Sequence, residues 1–358
     1  MIGKGFVRMA TILVAALALW LAPLSSATAF TPKEQYNLSL VVGPQFDWGR
    51  GAQMFADLVE EKTDGRIKIK LFYGGQLFKG EQTSEFQLMA RGAIDFAWGS
   101  TINWSPVLPE LNVFSLPFFV RDYERLDKLE NSEVGERLFE LMEQKGVKPL
   151  AWAENGFRQL TNSERQVTAP GDVSGLKIRV VGSPIFVDIY RELGADPVSM
   201  NWGDAVTAFS QGVVDGQENP AGVLVPVKIW EHHQYATMWN YLVDPVVVGV
   251  SMRLWKQFPA DIQEAIREAA VESARWEKAM ARRGLDDGWA RQTLREDFNT
   301  DLEFSDYRAY LREQGMDVTV LNASQRRQFR QALQPVYDKW VPKIGEDLVN
   351  QARDVMER

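Results

Sequence analysis

The chain has 358 residues, 45% of them hydrophobic and 25% charged, with 48 Asp and Glu against 40 Lys and Arg and no cysteine. This is globular composition with enough apolar mass for one large domain or two ordinary ones, and it excludes a disordered chain. A formal charge of −8 argues against nucleic acid as a partner, because phosphate binding needs a basic face. The lack of cysteine excludes a disulfide framework, thiolate chemistry and a lipidated cysteine.

The N-terminus reads as a secretory leader. Lys4 and Arg8 precede an apolar run from Ala10 to Leu24, and Ala27-Thr28-Ala29 follows as a cleavage pattern. Residues 1–29 are therefore expected to be a signal peptide and Phe30 the first mature residue. Loss of Lys4 and Arg8, with no acid lost, takes the formal charge from −8 to −10. No comparable apolar run follows, so the mature chain is expected to stay out of the membrane. In a Gram-negative host it would be periplasmic.

Next comes a β-α-β pattern. Leu38–Gly43 is a predicted strand, and Asp47 reads as the cap of a helix with Met54, Phe55, Leu58 and Val59 on one face, stopped near Gly65. Ile67–Tyr73 alternates like a strand until Gly74-Gly75. A second helix and strand cover Glu85–Trp98. Alternating strands and helices predict α/β lobes with mixed, mostly parallel sheets flanked by helices. Leu176–Val181 is another strand. Ser183 then reads as an N-cap and Pro184 as the first residue of a helix burying Ile185, Phe186, Ile189, Tyr190 and Leu193. A short helix follows Trp202-Gly203-Asp204. From Ala260 to about Arg295 there is no proline, which predicts one long helix crossing between lobes, with Gly284 and Gly288 as soft points. Ala323–Arg358 again reads as helical.

In VVDGQENP, Val213 to Pro220, the valines read as a short buried strand and Asp215-Gly216 as a turn. The run Gln217, Glu218, Asn219 is either an ordinary turn with a helix cap or one wall of a cleft. Arg179 lies between Ile178 and Val180. A guanidinium in a buried strand needs an anion, supplied by a protein carboxylate or by a ligand. Its planar fork suits a carboxylate, and the helix start at Ser183-Pro184 is a natural anion site. Arg158, in ENGFRQLTN, reads on its own as a surface arginine. Trp202 is either core or an apolar wall.

Metal and enzyme signatures are missing. Glu231-His232-His233 holds both histidines of the chain, and adjacent residues on a helix face different ways, so no zinc set is expected. Gln217 and Glu218 beside a ligand carboxylate leave a minor role for a hard cation. There is no G-x-S-x-G, P-loop or G-x-G-x-x-G, so no cofactor and no enzyme activity are expected.

The stretch GLKIRVVGSPIFVDIYRELGADPVSMNWGDAVTAFSQGVVDGQENP, Gly175 to Pro220, resembles the core of the DctP-type extracytoplasmic solute-binding proteins of TRAP transporters. The flanks agree: Gly51–Leu77, LNVFSLPFFVRDYE from Leu111, and FPADIQEAIREAAVESA. The resemblance implies a two-lobe periplasmic binding protein, a Venus flytrap, that closes on a small organic anion. It then delivers that anion to the membrane subunits of a TRAP transporter. Arg179 corresponds to the arginine that clamps the ligand carboxylate, Arg158 to a second arginine, Asn219 to a cleft asparagine and Trp202 to an aromatic against the ligand. Gln45, Phe46, Trp98, Ser100 and Glu218 are further expected contacts. Sialate-binding members carry an acid near the position of Ser100, where this chain has Gly99-Ser100-Thr101, which points away from sialate. C4-dicarboxylates, sugar acids and other hydroxy or keto acids are the expected ligands. The lobes are expected at 30–154 plus 245–284 and at 155–244 plus 285–358, in a monomer. A ligand-presenting subunit for a membrane sensor and a secreted hydrolase are the rival readings.

Overall fold

The computed structural model describes residues 30–286, 288–302 and 304–358. The expected signal peptide, residues 1–29, lies outside the described residues. Among them, no helix is long and apolar enough to cross a membrane.

Ten strands organise the described residues: β1 (Tyr36–Ser39), β2 (Ile69–Phe72), β3 (Phe96–Ser100), β4 (Val147–Asn162), β5 (Lys177–Val180), β6 (Asp196–Ser199), β7 (Gly216–Pro220), β8 (Tyr235–Met238), β9 (Val243–Ser251) and β10 (Asp317–Val320). The main path runs β2-β1-β3-β9-β4-β7-β5-β6, with β8 also on β4 and β10 on β8. The expected parallel pairing is seen between β1 and its neighbours β2 and β3, and between β5 and its neighbours β6 and β7. The centre is antiparallel, because β4 and β9 run against their neighbours.

The strand β4 is the element that joins the two lobes of the sheet. Up to Phe157 it pairs with β9, and from Arg158 on it pairs with β7. The register shifts between Glu154 and Gly156. Gly156 sits there at φ 110°, in the left-handed region that glycine tolerates.

Helices cover the sheet. The helix Asp47–Lys62 buries Trp48, Ala52, Phe55, Ala56 and Val59 at helical spacing, while Met54 and Leu58 flank that stripe half-buried. It packs on the helix Ala260–Arg282, which also lies against β4. This long helix has 23 residues and stops short of the expected Arg295. Gly284 at φ 70° and Gly288 at φ 117° both leave helical space, and a separate helix, Trp289–Glu296, begins after them. The helix Pro184–Glu192 starts at Pro184 as expected, but Ser183 makes no capping bond. Its hydroxyl instead meets Ser105 Oγ at 2.9 Å. The C-terminal region forms the helices Ala323–Ala332, Gln334–Ile344 and Glu346–Glu357.

VVDGQENP folds the other way round from the expectation. Val213 is 43% exposed and precedes the strand, while all five residues of β7, the polar Gly216–Pro220, are buried. The polar run is a central strand, and the valines belong to the turn that feeds it.

Candidate functional site

Arg179 sits on β5, between the parallel neighbours β6 and β7, and is 2% exposed. Its Nε and Nη2 both donate to the Met200 carbonyl oxygen, at 3.0 and 2.6 Å. Its guanidinium carbon lies 5.7 Å from the centre of the Trp202 ring. Among the described residues no carboxylate forms an ion pair with it. Burial draws its pKa down to about 10, so it remains a cation at neutral pH. The two readings of a buried arginine thus divide: among the described residues no anion neutralises this one at contact distance.

Arg158 is not the surface residue that its local sequence suggests. It is 3% exposed, on β4 opposite Pro220. Its Nε and Nη2 grip the Glu218 carboxylate, the second at 2.9 Å, and its Nη1 donates to Asp244 Oδ2 at 3.0 Å. Nη2 also donates to Asn219 Oδ1 at 2.8 Å. Burial works against its charge, but Glu218 and Asp244 outweigh burial and raise its pKa.

The other polar residues of β7 satisfy one another. Asn219 Nδ2 donates to Gln217 Oε1 at 2.6 Å, and Gln217 Nε2 donates to Thr161 Oγ1 at 2.7 Å. Thr161 Oγ1 lies 2.9 Å from His233 Nδ1. Asn219 is therefore held at both ends of its amide. These bonds let the strand bury its amides without an uncompensated cost.

Five of the nine expected contacts, Ser100, Arg158, Arg179, Trp202 and Asn219, line one narrow cavity of about 30 Å³. The other four lie elsewhere. Gln45 is exposed on the loop before the first helix. Phe46 packs edge-on against Trp202, with ring centres 6.1 Å apart, and sits behind the cavity wall. Trp98 is fully buried in the helix layer, 6.4 Å from Phe55. Glu218 lies behind Arg158, its carboxylate taken by that residue and by the Tyr241 hydroxyl at 2.7 Å. Among the described residues no group of three or more His, Cys, Asp or Glu is placed to hold a metal ion.

Sequence reasoning missed Asp244, Asn155, Gln82, Asn103 and Trp48, which also line the cavity. Asp244 accepts from Ser100 Oγ at 2.6 Å and from Asn155 Nδ2 at 2.8 Å. Burial raises its pKa, and Arg158, Ser100 and Asn155 pull against that. It was findable: a lone acid in the apolar run VDPVVVGV carries the same signal that singled out Arg179. Gln82 bridges the cavity. It donates to Asn103 Oδ1 at 2.8 Å and accepts from the Trp202 backbone N–H at 3.0 Å. It opens a short 3-10 turn, Gln82–Ser84, and its local sequence gave no signal.

The site is thus one unneutralised buried guanidinium, one guanidinium shared by two acids, several amides, and walls of aliphatic and indole side chains. It offers directed hydrogen bonds to a small anion.

Comparison with known proteins gives the family. The family described as bacterial extracellular solute-binding protein, family 7 (DctP) matches residues 38–295. The C4-dicarboxylate-binding periplasmic protein DctP of Rhodobacter capsulatus is 30% identical over 338 residues, covering 94% of this chain and 95% of that one. The crystal structure of a TRAP periplasmic solute-binding protein from Ralstonia eutropha H16, with bound (S)-2-acetolactate, superposes with a TM-score of 0.85 at 42% identity, over 91% of this chain and 99% of that one. The sugar acid binding protein of Advenella mimigardefordensis, in complex with galactonate, gives 0.79 at 25% identity, over 92% and 99%. The chain belongs to the DctP family of bacterial extracellular solute-binding proteins, a family of binding proteins and not of enzymes.

Proposed function

We propose that the protein captures a small organic carboxylate in the periplasm by closing its two lobes around it, with Arg179 holding the carboxylate, and passes it to the membrane subunits of a TRAP transporter. The observation that carries this reading is Arg179 itself, buried and ion-paired with no carboxylate among the described residues. A desolvated guanidinium aimed at a cavity is stable when a ligand anion replaces the hydration it has lost. Asn219, Arg158, Ser100 and Trp202 form the rest of the contact set. Among the three relatives above, the bound or named ligands are a hydroxy-keto acid, a sugar acid and C4-dicarboxylates, all of which a carboxylate clamp accommodates.

Closure follows from contacts on both sides of the cavity. The Gln82–Trp202 and Ser105–Ser183 hydrogen bonds cross between segments before and after β4. The register shift between Glu154 and Gly156, just before β4 changes partner at Arg158, supports a lobe boundary near residue 154 on this strand. We take the mature protein to be a freely diffusing monomer once residues 1–29 are removed.

Thermal unfolding against a library of organic acids, with Arg179→Ala in parallel, tests this function. A ligand of the folded state raises stability by about 2.7 kcal/mol at a hundred times its dissociation constant. A shift with a class of acids, abolished by Arg179→Ala, is the expected result. An equal shift in the variant would remove Arg179 from the site.

A further inference from the structure

The positive charge in the cleft is not all free for a ligand. Arg158 faces two carboxylates, donating from Nη1 to Asp244 Oδ2 at 3.0 Å and from Nη2 to Glu218 Oε1 at 2.9 Å. This triad carries one net negative charge. Arg179 has no such partner among the described residues, so it is the cation left for a ligand.

Asp244 is more than a counter-ion. It is 1% exposed and lines the cavity itself, beside Ser100 and Asn155. Ser100 Oγ, Asn155 Nδ2 and Arg158 Nη1 all donate to it, at 2.6, 2.8 and 3.0 Å. Three donors converging on one carboxyl group make the surroundings of a carboxylate anion, which accepts only. Aliphatic side chains such as Val41, Val181 and Val223 also line the space, and they can stabilise no further charge.

We infer that the cleft selects monocarboxylates bearing hydroxyl or keto groups and discriminates against dicarboxylates, with Asp244 as the discriminating residue. The inference rests on the carboxylate-binding reading above and narrows it. One ligand carboxylate takes Arg179. A second on the same small molecule would meet Asp244, and would find Arg158 already shared between two acids. Like charges at such range in a water-poor site repel strongly. A ligand hydroxyl, in contrast, gains an acceptor in Asp244, and a keto oxygen finds donors among the neighbouring amides. Repulsion of the wrong ligand is how such a site is made specific without tightening its hold on the right one.

Calorimetric titration of the purified protein, stripped of ligand by unfolding and refolding, tests this with 2-hydroxy-3-methylbutanoate, succinate and succinamate. Succinamate matches succinate in length and shape but carries one charge. In the wild type the hydroxy acid is expected to bind about a hundredfold tighter than succinate, and succinamate about tenfold tighter than succinate. Asp244→Asn is expected to narrow both gaps by about tenfold, mainly by improving succinate. Succinate binding as tightly as succinamate and the hydroxy acid in the wild type overturns the inference and leaves carboxylate binding intact. Unchanged ratios in a cooperatively folded Asp244→Asn protein also overturn it. If that variant does not fold, the two succinate analogues in the wild type decide alone. A wild type that binds no acid of any class, and so is indistinguishable from Arg179→Ala, removes the carboxylate reading itself.

Discussion

Arg179 gives two of its hydrogen bonds to a single acceptor, the Met200 carbonyl oxygen, at 3.0 and 2.6 Å. That grip fixes the plane of the guanidinium fork and leaves Nη1 as its free end. It also leaves a buried charge without a counter-ion, which costs folding energy. Arg179→Met should therefore keep the ligand-free protein as stable as wild type, or more stable by up to about 2 kcal/mol. The same change should abolish the stability gained on adding the bound acid. Melting curves with and without acid check both halves. A clear fall in the ligand-free midpoint would mean that Arg179 is a structural cation.

Arg158 should behave in the opposite way. Its removal leaves Glu218 and Asp244 buried without their shared partner. Arg158→Ala is expected to cost about 3–5 kcal/mol in urea unfolding. Adding Glu218→Gln should recover part of that loss, because the charges act as one unit. Strictly additive losses would show that they do not.

The sequence announced what local chemistry decides. The strand around Arg179, the helix opening at Pro184 and the stripe of the helix Asp47–Lys62 all follow from apolar period and from proline at a first helical position. It misled where burial depends on partners far along the chain. Gly216–Pro220 has no apolar pattern, yet it is a central strand because Asn219 donates to Gln217 and Gln217 donates to Thr161, 56 residues before it. Arg158 reads as exposed until Glu218 and Asp244 are brought to it, 60 and 86 residues away. Trp98 and Gln45 lie apart from the cavity for a simpler reason: a resemblance gives a position on a strand or loop, and the side chain then goes where local packing sends it.

Gly99 shows how little room that packing leaves. A Cβ at this position would lie 2.0 Å from the Trp104 ring, which is fully buried. The indole has no free direction, because its Nε1 donates to Glu85 Oε2 at 3.1 Å. Gly99→Ala is expected to destabilise the protein by about 1–3 kcal/mol through overpacking. Guanidinium unfolding measures it, and an unchanged midpoint would mean that the Trp104 layer yields without cost.

Glu85 provides a pH signature of the same layer. Burial raises its pKa from 4.5 to about 7, against the pull of hydrogen bonds from Ser39 Oγ at 2.7 Å and Trp104 Nε1 at 3.1 Å. The folded state therefore holds its proton more tightly than the unfolded state does. The stability linked to this proton is fully present below about pH 4.5, falls as the pH rises, and is gone above about pH 7. Two and a half pH units correspond to about 3 kcal/mol at most. Glu85→Gln keeps an acceptor for Trp104 and a donor for Ser39 but cannot titrate. Its stability should exceed that of the wild type increasingly from pH 5 to pH 7 and by a constant amount above it, about 3 kcal/mol at most. Urea unfolding of both proteins across this range gives the difference directly, and parallel curves would mean that Glu85 is already charged in the folded protein at pH 5.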